Sequence, residues 1–291
     1  MLLNGKSVVI GGIIALALLI AGVFVFLLTQ KKEEVLPPVV LEPVATSTRA
    51  VLGSSVQGRA IEAYTYGTGE TLLVFVGGIH GGYEWNSVLL AYELMDYLAE
   101  DPSRIPSNMR VTVIPDANPD GTWKIVGKEG RFVVADVTPG DQSAGRFNAN
   151  GVDLNRNFDC KWQREAMWRG KKVSAGTSAF SEPEAQALRD FFMKEQPVAS
   201  VFFHSQANAV YASECENGIL PETLAIMNAY AGATGYTAVS SFDAYPVTGD
   251  IEGWLASIGI PAITVELSTH ESIEWEKNRL GVEVLIQRYR K

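Results

Sequence analysis

Four short apolar runs punctuate the chain: TLLVFVGG (71–78), RVTVIPD (110–116), VASVFFH (198–204) and PAITVEL (261–267). Each is rich in Val, Ile or Phe and lacks apolar–polar alternation, so each is expected to be a strand buried on both faces. Between them the period becomes helical. Leu90, Leu94 and Leu98 recur every four residues. The segment SEPEAQALRDFF gathers Leu188, Phe191 and Phe192 on one face, with Ser181 and Glu184 in capping-box register and Pro183 in the first turn. Further helices are expected over 221–235 and from Glu271 to Tyr289. This alternation predicts one α/β domain, a mixed and mostly parallel twisted sheet with helices on both faces. Functional residues of such sheets gather at strand carboxyl ends, where His80, Asp116, His204 and Glu266 fall.

A different pattern precedes that domain. Residues 7–30 carry no charge and are apolar almost throughout, long enough as a helix to cross a hydrocarbon core. The run ends in FLLTQKKEE rather than the small-residue site of a cleaved signal peptide, which favours an uncleaved anchor over 1–30. Residues 31–50 contain three prolines and no helical period, and read as an extended stalk. The folded domain is expected over 51–291. Lys6 on one side and Lys31 and Lys32 on the other nearly balance the charge rule for orientation. With a short tail before a first helix, the main domain is expected outside the cytoplasm.

The net charge of −9 and the lack of a basic stripe exclude a nucleic-acid partner. Cys160 and Cys215 are the only cysteines, with no C-x-x-C pairing, so a thiolate metal site is not expected. A single disulfide and two buried thiols are both compatible with them.

Three histidines remain to be explained. His80 follows a strand and a glycine turn, Glu84 comes four residues later, and His204 closes another strand. Two imidazoles and a carboxylate form the three-ligand set of a catalytic zinc site, which leaves one position for water. Each alone is equally a packed, hydrogen-bonded residue. In the order GGIHGGYE, NGVDLNRNF, FFHSQ and ITVEL, however, with NPDG, FSEPEAQAL and YPVTGDIEGW between and after them, the chain resembles the zinc carboxypeptidases of the carboxypeptidase A type. The resemblance covers roughly 51–289, and RFNANGVDLNRNF is most similar to the bacterial branch that includes murein peptide amidases.

That resemblance implies one zinc ion held by His80, Glu84 and His204. The spacing H-x-x-x-E departs from the family's H-x-x-E, although i and i+4 of a helix still share a face. It implies Glu266 as the general base that activates water, and Arg146 as the cation facing the oxyanion. Asn155 and Arg156 would grip a free C-terminal carboxylate, with Asp153 and Asn157 flanking them. Tyr245 would close over the substrate, and Asp250 and Glu252 would line the side-chain pocket, where an acid selects an amine-bearing residue such as lysine or diaminopimelate. The implied substrate is a peptide or murein stem peptide. His270 matches no ligand position and is expected at the surface. The alternatives are a related zinc amidohydrolase that removes acyl groups and an inactive tethered binding module.

Overall fold

The computed structural model describes residues 47–242 and 245–291. The apolar run at 7–30 and most of the 31–50 stalk lie outside the described residues. Among those described, no helix is long and apolar enough to cross a membrane.

Eight strands form the main sheet: β1 (Thr48–Ser54), β2 (Ala60–Gly67), β3 (Thr71–Val76), β4 (Met109–Ile114), β7 (Ala199–Ser205), β8 (Ala209–Ala212), β11 (Thr237–Val239) and β12 (Ala262–Leu267). Two small hairpins, β5 (Glu165–Trp168) with β6 (Lys171–Ser174) and β9 (Glu214–Cys215) with β10 (Gly218–Ile219), stand apart from it. The main sheet runs β1-β2-β4-β3-β7-β12-β8-β11. Its centre, β4-β3-β7-β12, is parallel, and antiparallel pairs enter at β1–β2, β2–β4 and β12–β8. The expected mixed, mainly parallel sheet is therefore what forms, and β1 starts three residues ahead of the expected domain boundary at Val51.

The helices are α1 (Trp85–Glu100), α2 (Pro119–Val126), α3 (Pro183–Glu195), α4 (Pro221–Thr234), α5 (Ile251–Ser257) and α6 (Trp275–Tyr289). The continuous apolar runs split between two cores because side chains alternate along a strand. Leu73 and Phe75 of β3 and Ile263, Val265 and Leu267 of β12 pack with Leu90, Leu94, Ile226 and Leu285 of α1, α4 and α6. Leu72, Val74 and Val76 join Phe202, Leu188, Phe192 and Leu255 on the face of α3 and α5. Burying each such side chain contributes about 1.5–3 kcal/mol. By the same alternation, His204 and Glu266 share this second face with Phe202 and Ala262.

Two element ends differ from the sequence expectation. The N-cap of α3 is Glu182, whose side chain makes no cap bond. Ser181 instead hydrogen-bonds Glu182, and Glu184 accepts from the Val56 amide, so tertiary contacts outcompete the capping box. Helix α6 begins at Trp275 rather than Glu271, because Glu274 takes a left-handed φ of 47° that breaks the helical run.

Cys160 and Cys215 form a disulfide. It joins the segment after Arg156 to β9, and for a separation of 55 residues loop-closure entropy contributes about 4 kcal/mol.

Candidate active site

His80 leaves β3 through Gly77 and Gly78 and opens a 3-10 turn, Gly81–Glu84, that runs directly into α1. The turn explains how a four-residue spacing still brings the two side chains together. Tyr83 N donates to His80 O, and the tight winding points Glu84 back at the imidazole, with His80 Nδ1 2.8 Å from Glu84 Oε1. Only glycine fits at 81: its φ is +44°, and a Cβ would sit 2.8 Å from Gly145 O. His204, the penultimate residue of β7, puts its Nδ1 3.2 Å from His80 Nδ1 and 3.1 Å from Glu84 Oε2.

These three buried side chains offer ligand atoms all within 4.8 Å of one another. Bonds of 2.0–2.1 Å in a tetrahedral zinc site imply ligand separations of about 3.3 Å, close to those seen. Behind each imidazole stands a carboxylate, one of the groups that orient metal-bound histidines. Asp153 Oδ1 is 3.5 Å from His80 Nε2, and Glu252 Oε1 is 3.1 Å from His204 Nε2. Burial lowers the affinity of His204 for a proton, yet Glu84 and Glu252 raise its pKa well above the usual value. Two buried imidazoles and a carboxylate, each ring backed by a further carboxylate, are a donor set that fits zinc.

The rest of the constellation shares one cleft of about 800 Å³, lined by His80, Glu84, Arg146, Asn155, Arg156, His204, Tyr245, Asp250, Glu252 and Glu266 among others. Pairing of β12 with β7 sets Glu266 directly opposite His204. Its Oε2 is buried without a hydrogen-bond partner. Burial, then the Glu84 charge, push its pKa up to about 7 against the pull of His204 and Arg146. Arg146 is buried; its Nε and Nη2 each lie 2.8 Å from Asp153 Oδ2, its Nη1 is 3.8 Å from Glu84, and its guanidinium covers the Trp168 ring at 4.6 Å. Burial pushes Asp153 up, but Arg146 and His80 outweigh it and hold the carboxyl well below the usual range.

Arg156 donates to the Asn155 and Met167 carbonyls, and Asn155 Oδ1 accepts from Ile251 N at 2.9 Å. Gly249 is bonded on both sides, through Phe158 N and Cys160 O, and a Cβ there would collide with Arg156 O. The loop carrying Asp250 is thereby stitched to the Asn155–Arg156 segment. Tyr245 lies on the cleft wall, edge-on to Phe242 at 4.8 Å.

The two pocket acids differ. Asp250 caps α5, accepting from Gly253 N at 2.7 Å, and burial raises its pKa to about 6, with Glu252 adding to the shift. Glu252 is engaged by His204 and by Thr264 Oγ1 at 3.0 Å, so its carboxylate supports a ligand as well as lining the cleft. His270 is not a free surface residue. It is half-buried, its Nδ1 is 2.8 Å from Ser205 Oγ, and its ring packs on Tyr83 at 4.7 Å. The sequence reading also missed Tyr83 and Trp168 as cleft walls. Trp168 lies in a short hairpin, β5–β6, that has no pattern to announce it.

The sequence profile of the zinc carboxypeptidases matches residues 42–280. The chain belongs to the zinc carboxypeptidase family. Among relatives in the family, gamma-D-glutamyl-L-diamino acid endopeptidase 1 of Lysinibacillus sphaericus is 24% identical over 242 residues, covering 75% of this chain and 60% of that one. Murein peptide amidase A of Escherichia coli K12 is 33% identical over 153 residues, 49% of this chain and 60% of the relative. The chain thus matches about 60% of the length of these relatives. Of solved family structures, murein-tripeptide amidase from Escherichia coli O157 superposes with a TM-score of 0.59 at 25% identity, covering 86% of this chain and 98% of that one. Bovine thrombin-activatable fibrinolysis inhibitor gives 0.68 at 19% identity, covering 84% and 90%, a likeness of fold. Zinc is the family's metal, and His80, Glu84 and His204 are the residues here that group to hold it.

Proposed function

We propose that the protein is a zinc-dependent hydrolase of the amide bond preceding a C-terminal residue, acting on peptides or murein stem peptides. One observation carries this reading: the zinc ligands, Glu266 and the Asn155–Arg156 pair line a single cleft. Zinc, when bound, polarises a carbonyl oxygen and makes water a better nucleophile at neutral pH. Glu266 takes the proton from the attacking water and delivers it to the leaving amine. Arg146, fixed by Asp153 and Trp168, offers a preorganised cation to the developing oxyanion. Arg156 and Asn155 grip the terminal carboxylate, and Tyr245 covers it.

Asp250 is the acid we assign to the side-chain pocket: its bond caps α5 through Gly253 N, whereas Glu252 is held against the candidate ligand His204 and Thr264. The preferred terminal residue then carries an amine, as lysine and diaminopimelate do. The names of the two curated relatives, which specify a diamino acid and a murein peptide, agree with it. Full-length, zinc-loaded protein should be incubated with peptides ending in Lys, Arg, Phe or Glu and with murein tripeptide, and the products weighed. Release of the terminal Lys or diaminopimelate is expected, and Asp250→Asn should shrink the Lys-over-Phe preference about tenfold. An unchanged preference would move the selectivity elsewhere, and no product from any peptide would favour the acyl-removing amidohydrolase.

We also propose that residues 1–30 anchor the chain and that the domain faces away from the cytoplasm. The Cys160–Cys215 disulfide supports this, since such bonds persist in oxidising compartments. External protease applied to intact cells should remove the domain; full protection would place it inside.

A further inference from the structure

We infer that Arg169 forms an anion subsite on the acyl side of the scissile bond, selecting substrates that carry a free carboxylate beside the bond to be cut. The inference rests on the hydrolase reading above and specifies its substrate class. Arg169 and Gly170 are the two central residues of the β5–β6 hairpin, closed by the Trp168–Lys171 pair. Both have positive φ, 48° and 76°, as a type I′ turn demands. Asn, Asp or Gly usually fills the first of these positions, and a longer side chain there costs on the order of 1 kcal/mol. Stability therefore does not account for an arginine, and the turn sits at the rim of the cleft.

Its surroundings define what it can bind. Arg169 Nη1 is 3.3 Å from the Tyr83 hydroxyl, and no carboxylate among the described residues pairs with it. Arg146, by contrast, is tied to Asp153. Tyr83 immediately precedes the ligand Glu84 and packs edge-on against Trp168 at 5.2 Å and against His270 at 4.7 Å. Trp168 of this wall lies beneath the Arg146 guanidinium at 4.6 Å, the cation assigned to the oxyanion, so the wall borders the acyl side of the cleft. With the terminal carboxylate held by Arg156 and Asn155, the residue before the bond runs along the Tyr83 wall. The Arg169 guanidinium and the Tyr83 hydroxyl are then both available to an anion close to the scissile carbonyl.

In an ordinary α-linked peptide, the carbon next to that carbonyl bears an amide nitrogen and a side chain. A glutamyl residue linked through its γ-carboxyl instead leaves its α-carboxylate free, a few bonds from the scissile carbonyl. That is the chemistry the subsite fits.

The test uses the full-length, zinc-loaded protein with two peptides, L-alanyl-γ-D-glutamyl-L-lysine and its α-amide counterpart, whose D-isoglutaminyl residue lacks the charge. Wild-type kcat/KM is expected to favour the acid about tenfold, and the margin should narrow at high salt because the site is exposed. Arg169→Ala should bring the ratio near one, Arg169→Glu should reverse it, and Arg169→Lys should keep part of it. Zinc content and melting temperature verify that each variant is folded. A wild-type ratio near one, or an Arg169→Ala variant that slows both peptides equally, overturns the subsite while leaving the hydrolase intact. Release of a terminal residue from neither peptide, nor from murein tripeptide or any of the other peptides above, overturns the hydrolase reading and this inference with it.

Discussion

Replacing Glu266 by Gln is expected to lower kcat about 10³-fold while zinc content stays unchanged. Glutamine keeps the shape and the strand but cannot accept a proton. The position leaves little else for the carboxyl to do: β12 pairs it with His204 across the sheet, and its Oε2 has no hydrogen-bond partner. Burial and the neighbouring Glu84 carboxylate raise its proton affinity to a pKa of about 7, and a bound cation would pull it back down. A structural glutamate would show the opposite pattern, a variant of lower melting temperature with activity nearly preserved. Steady-state kinetics together with metal analysis separates the two, and a loss smaller than tenfold would remove Glu266 from the chemistry.

Stripping zinc is expected to abolish hydrolysis and to destabilise the fold. A ligand present at a thousand times its Kd stabilises the native state by about 4 kcal/mol. Its removal leaves Glu84, Glu252 and Asp153 clustered around two imidazoles. Thermal melts with and without chelator should show the shift, and restored zinc should recover activity. Glu252→Gln sharpens the test. Without the full carboxylate behind His204 Nε2, zinc affinity should fall about 10–100-fold in competition with a chelator. Intact affinity with an altered preference for lysine would instead make Glu252 the specificity acid.

Much of this arrangement was legible beforehand for identifiable reasons. Val74, Phe75, Phe202 and Val265 are apolar on both sides of their strands because the central sheet is covered twice, and such runs stand out. His80, His204 and Glu266 stand at or near the carboxyl ends of those runs, so finding the strands located them. What stayed hidden depends on contacts remote in sequence. The bond between Glu252 and His204 stayed hidden because nothing in YPVTGDIEGW shows that α5 turns this cleft acid towards a histidine 48 residues earlier. His270 looked exposed because its partners, Ser205 and Tyr83, come from β7 and the turn before α1. The capping box at Ser181 failed for the same reason: Val56 and Asn148 compete for Glu184.

The edge position of β1 has a practical consequence. Two strands, β2 and β4, separate it from β3, the first strand to lead into a zinc ligand. Val51 in β1 is 56% exposed, so this strand buries little and is cheap to detach. Mechanical load applied ahead of residue 47, whether from a resin, a bead or a surface, would fall first on the β1–β2 ladder. That ladder can peel while β3, β7 and β12 keep their registry. The protein should therefore go on working when immobilised from that side, with the outer strand acting as a sacrificial coupling.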